Sequence, residues 1–190
     1  MKNVWVFWAL FIAIILLFAG CAAPIIVPAK TFDSWPNQEW AQAALAEVRK
    51  QGLTNPKDGK DYCPNGLTER NWVHLMGAIA KYESGFKPAL EYKESFKNGR
   101  GEIIISTGLF QVSYEASRGY GFQGITTAQL KEPLKNIEVA SVILARWAKR
   151  DGVFSGGSKN AWRGAARHWS VARGNPKTDK LKAYVKKWCE

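Results

Sequence analysis

The sequence predicts a mainly α fold: a single helical domain with a small β-hairpin element near residues 101–107. Three observations carry this. Apolar residues recur at helical spacing over stretches of several turns, those stretches are bracketed by capping and stop residues, and the strand signal is confined to "GEIIISTG", one or two short strands entering a glycine turn. With 190 residues and 46% hydrophobic composition, the chain can bury one good core.

Ser34 and Pro36 mark the start of a first helix, in which Trp40, Ala44, Leu45 and Val48 recur until Gly52 ends it. The loop "TNPKDGKDYCPNG" follows, dense in Asn, Asp, Pro and Gly. Thr68 caps a second helix, with Glu69 at the positive end of its dipole. Trp72, Leu75, Met76 and Ile79 form one stripe along it, and four residues beyond Ile79 the stripe meets Glu83. The stretch 91–100 is polar. After Pro133 comes the longest helix, with Ile137, Ala140, Leu144 and Trp147 on one side and Gly152 as its stop. Two more helical pieces, near 161–171 and 178–188, bring the total to five. There are no internal repeats and no low-complexity regions.

The first residues read as an export signal. Lys2 precedes an apolar run over 4–18 and then the small-residue site Leu17-Phe18-Ala19-Gly20-Cys21. The run is short for a bilayer span. Its end resembles a bacterial lipobox, which implies cleavage before Cys21 and acylation there; the alternative is an ordinary secretory peptide with an incidental cysteine. On this reading residues 1–20 are the signal, 21–33 a tether carrying Pro24 and Pro28, and 34–190 the folded domain. Ala22 after Cys21 resembles lipoproteins sorted to the outer membrane of Gram-negative bacteria, facing the periplasm.

Once Cys21 is lipidated, Cys63 and Cys189 remain, and they allow one pairing. In an oxidising compartment a disulfide between them would be worth on the order of 4 kcal/mol through the long segment it closes; the alternative is two free thiols. With His74 and His168 as the only histidines, no cysteine has a partner at ligand spacing, so neither a metal site nor a thiol nucleophile is expected, and no cofactor is called for.

Lys and Arg number 27 against 16 Asp and Glu, a formal charge of +11 that becomes +10 when Lys2 leaves with the signal. Outside the cytoplasm the matching polyanions are lipid surfaces and the carboxylates of cell-wall polymer. No nucleic-acid motif is present, so that partner is excluded.

Glu83 is the residue that most needs explaining. Partial burial and the negative end of the helix dipole both disfavour its charge, so its pKa is expected to rise. An acid protonated near neutral pH can donate to a leaving oxygen, as general-acid cleavage of a glycosidic bond requires. The plainer alternative is a carboxylate turned to solvent, or one capping Ser84 and Gly85.

"YESGFKP", "STGLFQVS", "PLKNIEVASVIL", "AARHWSVARG" and "KAYVKKW" resemble, in order, the blocks of the soluble lytic transglycosylase family, whose lysozyme-like domain is also related to goose-type lysozyme. The resemblance spans most of 67–188 and implies a lysozyme-like fold acting on peptidoglycan glycan strands. It gives Glu83 the role of catalytic acid and Tyr184 that of the tyrosine hydrogen-bonded to it, with Ser84 holding the carboxylate region. Ser84 itself, Ser106, Gly108, Leu109, Phe110 and Gln111 become substrate contacts, Gly108 through close backbone approach and Gln111 through its amide; Leu109 and Phe110 equally suit a buried turn. One block departs from the family. Trp169 stands where a tyrosine is usual and Ser170 where an asparagine is, which alters the glycan contacts there. Trp169 can still stack on a sugar, as can Trp162, whereas Trp72 and Trp147 suit packing.

Most glycosidases need two carboxylates, and Glu91, Glu94, Glu102 and Glu115 are nearby choices, none placed opposite Glu83 by spacing. The resemblance implies a route with one: Glu83 protonates the leaving oxygen, the substrate's N-acetyl group assists, and the muramic hydroxyl closes a 1,6-anhydro ring. The sequence is therefore read as a monomeric lytic transglycosylase cutting between N-acetylmuramic acid and N-acetylglucosamine. Its rivals are a hydrolytic lysozyme on the same scaffold and a non-catalytic wall-binding or inhibitory lipoprotein.

Overall fold

Ten consecutive residues of one helix, 71–80, are buried on every side, which makes that helix the axis of the core rather than a surface element. The computed structural model describes residues 31–53, 66–151 and 186–189. They form α1 (Gln38–Gln51), α2 (Glu69–Ser84), β1 (Glu91–Lys97), β2 (Ile103–Thr107), β3 (Val112–Ser113), α3 (Tyr114–Gly119), α4 (Thr127–Lys131) and α5 (Pro133–Asp151). The fold is mainly α with one small antiparallel sheet, the class the sequence predicts.

The axial helix is α2. Thr68 caps it as predicted, its hydroxyl accepting from Asn71 N–H while the Asn71 side chain accepts from Thr68 N–H at 2.8 Å. The Asn71 amide also donates to Trp188 O at 2.6 Å, which docks the C-terminal residues on the start of the helix. Trp72, Leu75, Met76 and Ile79 are fully buried, as their stripe requires. Helix α1 packs on both α2 and α5 through Ala41, Ala44, Leu45 and Val48, where the two alanines permit close backbone approach. The predicted stripe of α5 holds for Ile137, Ala140 and Leu144, which are buried; Trp147 is half-buried and donates its indole N–H to the Tyr120 hydroxyl.

Several details differ from the sequence reading. Helix α1 is capped by Asn37, whose side chain accepts from Glu39 N–H at 2.8 Å, not by Ser34. Ser34 is recruited elsewhere: its hydroxyl lies 2.7 Å from His74 Nδ1 on α2. Phe32, assigned to the tether, is fully buried, with the Arg70 guanidinium 5.3 Å above its ring. The hairpin expected near 101–107 is one strand of a three-stranded sheet, ordered β1-β2-β3, and its partner β1 is made by the polar stretch. Strand β1 is exposed almost throughout, so no apolar alternation betrays it. Helices α3 and α4 were also not anticipated, although Thr126 and Gln129 form a capping box. The expected helices at 161–171 and 178–188 and the Gly152 stop lie outside the described residues, apart from 186–189.

One buried side chain of α5 makes three of the bonds that fix the sheet and its turn to the helical body. Asn136, in the first turn of α5 and fully buried, donates to Thr107 O at 3.0 Å and Leu130 O at 2.8 Å and accepts from Phe110 N–H at 2.9 Å. It thereby satisfies three backbone groups that burial would otherwise leave unpaired. Gly108 lies directly against it, at φ +83; a Cβ there would sit 2.3 Å from Asn136 Nδ2 and 2.4 Å from Leu130 O.

His74 is the buried ionisable group of this core. It stacks on Trp188 with centroids 3.9 Å apart and meets the Phe32 ring edge-on, and its Nε2 has no hydrogen-bond partner among the described residues. Burial, reinforced by the Arg70 charge and partly opposed by Asp33, lowers its pKa to about 4.

These contacts make three predictions about stability. Asn136→Ala orphans three buried backbone groups and should cost about 3 kcal/mol, roughly 10 °C in Tm by circular dichroism. Gly108→Ala should be at least as damaging, whereas Gly85→Ala, also at positive φ (+60) but with nothing within 4 Å, should cost only about 1 kcal/mol; equal effects would refute the packing argument. For His74, the folded pKa lies below the unfolded one, so its contribution is intact above about pH 6.5 and is lost as pH falls towards about 4. Urea unfolding should show the wild type losing about 2.5 kcal/mol more than His74→Gln between pH 7 and pH 4.5.

Candidate active site

The end of α2 is set by a left-handed residue. Gly85, at φ +60, donates its N–H to Lys81 O at 3.1 Å, the 5→1 bond of an αL helix cap, and Phe86 N–H reaches Ala80 O at 3.5 Å. The chain therefore turns away immediately after Glu83 and Ser84. Glu83 is half-buried in that last turn. Its position at the end of the buried stripe is the one the sequence implies.

Ser84 does more than stand beside it. Its buried hydroxyl lies 3.1 Å from Ala80 O and 2.9 Å from Leu109 O, and so ties the end of α2 to the turn between β2 and β3. Ser84 thus acts on two backbone carbonyls, with its own side chain buried.

The tied turn is the Gly108–Gln111 block. Leu109 and Phe110 are fully buried, which makes them core side chains, and the close approach at Gly108 is to Asn136 and Leu130 rather than to an open groove. Gln111 adopts φ +48. Its amide holds that conformation by donating to Gly108 O at 2.9 Å and to Leu90 O at 3.2 Å. Gly108 N–H also reaches Leu90 O, at 2.9 Å, so the turn grips the start of β1. Phe86 and Gln111 are the two non-glycine residues with positive φ among the described ones. Both border this junction, and such strained residues concentrate where a surrounding structure over-determines them.

Of the four loop carboxylates, Glu94 alone joins the block. Its Oε1 accepts from the Ser106 hydroxyl at 2.5 Å. Glu91 pairs with Lys131 at 2.9 Å, while Glu102 and Glu115 both accept from the Asn98 amide, at 2.7 and 3.3 Å. The structure therefore gathers Glu83, Ser84, Ser106, Gly108, Leu109, Phe110 and Gln111 around one helix end. Tyr184, Trp162, His168, Trp169, Ser170, Cys21 and Cys63 lie outside the described residues. Sequence reasoning missed Asn136 as the group that positions the turn; an asparagine four residues before Ala140, in line with the apolar stripe of α5, was the available signal.

A family model described as the transglycosylase SLT domain matches residues 65–181, more than half of the chain. Among solved structures, "Bd0314 DslA wild-type form 2" is similar at 30% identity and a TM-score of 0.71, covering 80% of this chain and 92% of that one. Two glutamate-to-glutamine variants of DslA are similar at 31% and 29% identity, with TM-scores of 0.68 and 0.70. Each covers 80% of this chain, and 88% and 92% of its own. Their two substituted glutamates are eleven positions apart. No curated protein matches the chain. The matched model and the shared fold, laid over the junction of α2 with the Gly108 turn, establish that this chain belongs to the transglycosylase SLT domain family.

Proposed function

We propose that the chain cleaves the β-1,4 bond between N-acetylmuramic acid and N-acetylglucosamine with Glu83 as general acid and then general base. The coarser statement rests on family membership: it is a peptidoglycan-cleaving lytic transglycosylase with a lysozyme-like fold. The observation that carries the finer one is the Ser84 bond to Leu109 O, at 2.9 Å. It couples the only carboxylate on the α2 stripe to the turn that the family uses on the sugar.

Glu83 gives its proton to the oxygen leaving with N-acetylglucosamine, and the bond from that oxygen to C1 of the muramic sugar breaks. The C6 hydroxyl of the same sugar then closes on C1 and returns its proton to Glu83. Atoms and charge balance without water, and the product carries a 1,6-anhydro ring. Within this reading Tyr184 hydrogen-bonds the Glu83 carboxyl, while Gln111, Trp169 and Ser170 contact glycan. The contribution of Gly108, Leu109 and Phe110 is to hold the backbone of that wall, which their burial supports.

The same proposal covers place and covalent state. The enzyme is a monomer, exported and lipid-anchored through Cys21 at the outer membrane, facing the periplasm, where its net positive charge favours an anionic wall. Cys189, packed against the core and disulfide-bonded, supports its pairing with Cys63.

Replacing Glu83 by Gln should lower turnover of purified sacculi by about a thousand-fold, in line with loss of a general acid, while sacculus binding stays within a few-fold of wild type. Mass spectrometry of the wild-type digest should find anhydro-muropeptide ends. Wild-type clearing by the variant would overturn the assignment of Glu83, and reducing ends in the wild-type digest would overturn ring closure.

A further inference from the structure

Strand β1 is exposed along nearly its whole length, yet Glu94, near its centre, is half-buried. The register explains how. Tyr92 lies opposite Ser106, and the register shifts between Lys93 and Lys97, so Glu94 stands at the start of that irregularity, two residues beyond the pair and within a glutamate side chain's reach of Ser106. The carboxylate turns back along the strand to accept the Ser106 hydroxyl at 2.5 Å, and Ser106 itself is buried. Three residues further on, Leu109 O receives the hydroxyl of Ser84, the neighbour of Glu83. Since β2 ends at Thr107 and the chain turns at Gly108, Ser106 and Leu109 are at most roughly 10 Å apart. The side chains next to both carboxylates are thus bonded into the same short segment.

Spacing along the chain agrees. Glu83 and Glu94 are eleven positions apart, the separation of the two substituted glutamates in DslA, and Glu91, Glu102 and Glu115 do not share it. The other three also have their carboxylates engaged away from the block, with Lys131 or with Asn98.

We infer that Glu94 is a second catalytic carboxylate of this site, set in place by Ser106, that faces the sugar being cleaved and stabilises the positive charge developing at C1. It forms no bond and moves no proton; its effect is the Coulomb attraction of a fixed carboxylate for a charge that exists only as the glycosidic bond breaks. Ser106 is then a positioning residue, which removes it from the sugar contacts and gives the first serine of "STGLFQVS" a purpose. The inference rests on the assignment of Glu83 as the acid.

Glu94→Gln, Ser106→Ala and Glu83→Gln, each in the full chain, would be compared on soluble peptidoglycan fragments for kcat, KM and Tm. The expected result is a fall in kcat of at least 100-fold for Glu94→Gln and about ten-fold for Ser106→Ala, with KM within two-fold and Tm within a few degrees of wild type. A purely structural staple would instead lower Tm and leave the kcat of the folded fraction unchanged, and that outcome overturns the inference. Should Glu94→Gln fail to fold, Ser106→Ala decides, since unchanged kcat there overturns it equally. An inactive Glu83→Gln beside a fully active Glu94→Gln sinks only this inference. An active Glu83→Gln sinks the proposed function as well.

Discussion

The buried amide of Asn136 is the constraint on which the site depends. One side chain satisfies two carbonyls and one N–H drawn from α4, from the end of β2 and from the turn after it. Each of these groups, if orphaned in the interior, would cost about 1–3 kcal/mol, so this one side chain has large leverage over the turn. The turn is consequently held from two sides, by Asn136 on α5 and by Ser84 on α2. Because α1 packs on both of those helices, the helical core sets the distance across which the turn is stretched. A displacement of either helix would therefore be transmitted to the turn directly.

That double attachment accounts for the unfavourable backbone nearby. Phe86 at φ +63 and Gln111 at φ +48 are residues with side chains in a region that glycine occupies more easily. The cost is of order 1 kcal/mol each, and each has an evident offset. Phe86 lies against Trp35, with ring centroids 5.9 Å apart, and the Gln111 side chain makes two hydrogen bonds to backbone carbonyls. The gain is a sharp exit from α2 directly after Glu83, so the carboxylate is carried on the last rigid turn of a helix rather than on a loop. Helices position functional groups more narrowly than loops do.

How much of this was legible in the sequence depends on what each residue answers to. Thr68, Gly52 and the Trp72–Leu75–Met76–Ile79 stripe obey local rules of capping and periodicity, and the structure has them where the sequence puts them. Ser34 broke the same rules because a partner forty residues away claimed its hydroxyl, and no local pattern encodes that contact. Strand β1 was invisible for a different reason. A strand exposed on both faces needs no apolar alternation; its pairing is dictated by β2, whose isoleucines do carry a signal. In the site itself, residue types were readable but their division of labour was not. A buried glycine touching an asparagine and a glycine touching sugar look identical in sequence.

The hairpin poses a last question of magnitude, since it carries Glu94 yet lends little to the core: Tyr92, Phe96 and Ile103 are all at least half exposed. The ion pair of Glu91 with Lys131 is a poor anchor, because both partners are about two-fifths exposed and such pairs contribute less than about 1 kcal/mol. The bonds that Gly108 N–H and the Gln111 amide make to Leu90 O are different in kind. They are supplied by the turn that Asn136 and Ser84 already fix, and each adds about 1 kcal/mol to a geometry set elsewhere. Rigidity along the hairpin should therefore decay outward from Leu90. Glu94, four residues from that anchor, is bonded to a buried serine, whereas the tip around Arg100 and Glu102, whose side chains are about two-thirds exposed, is tied back through Asn98 to Glu115 on α3, away from the chemistry.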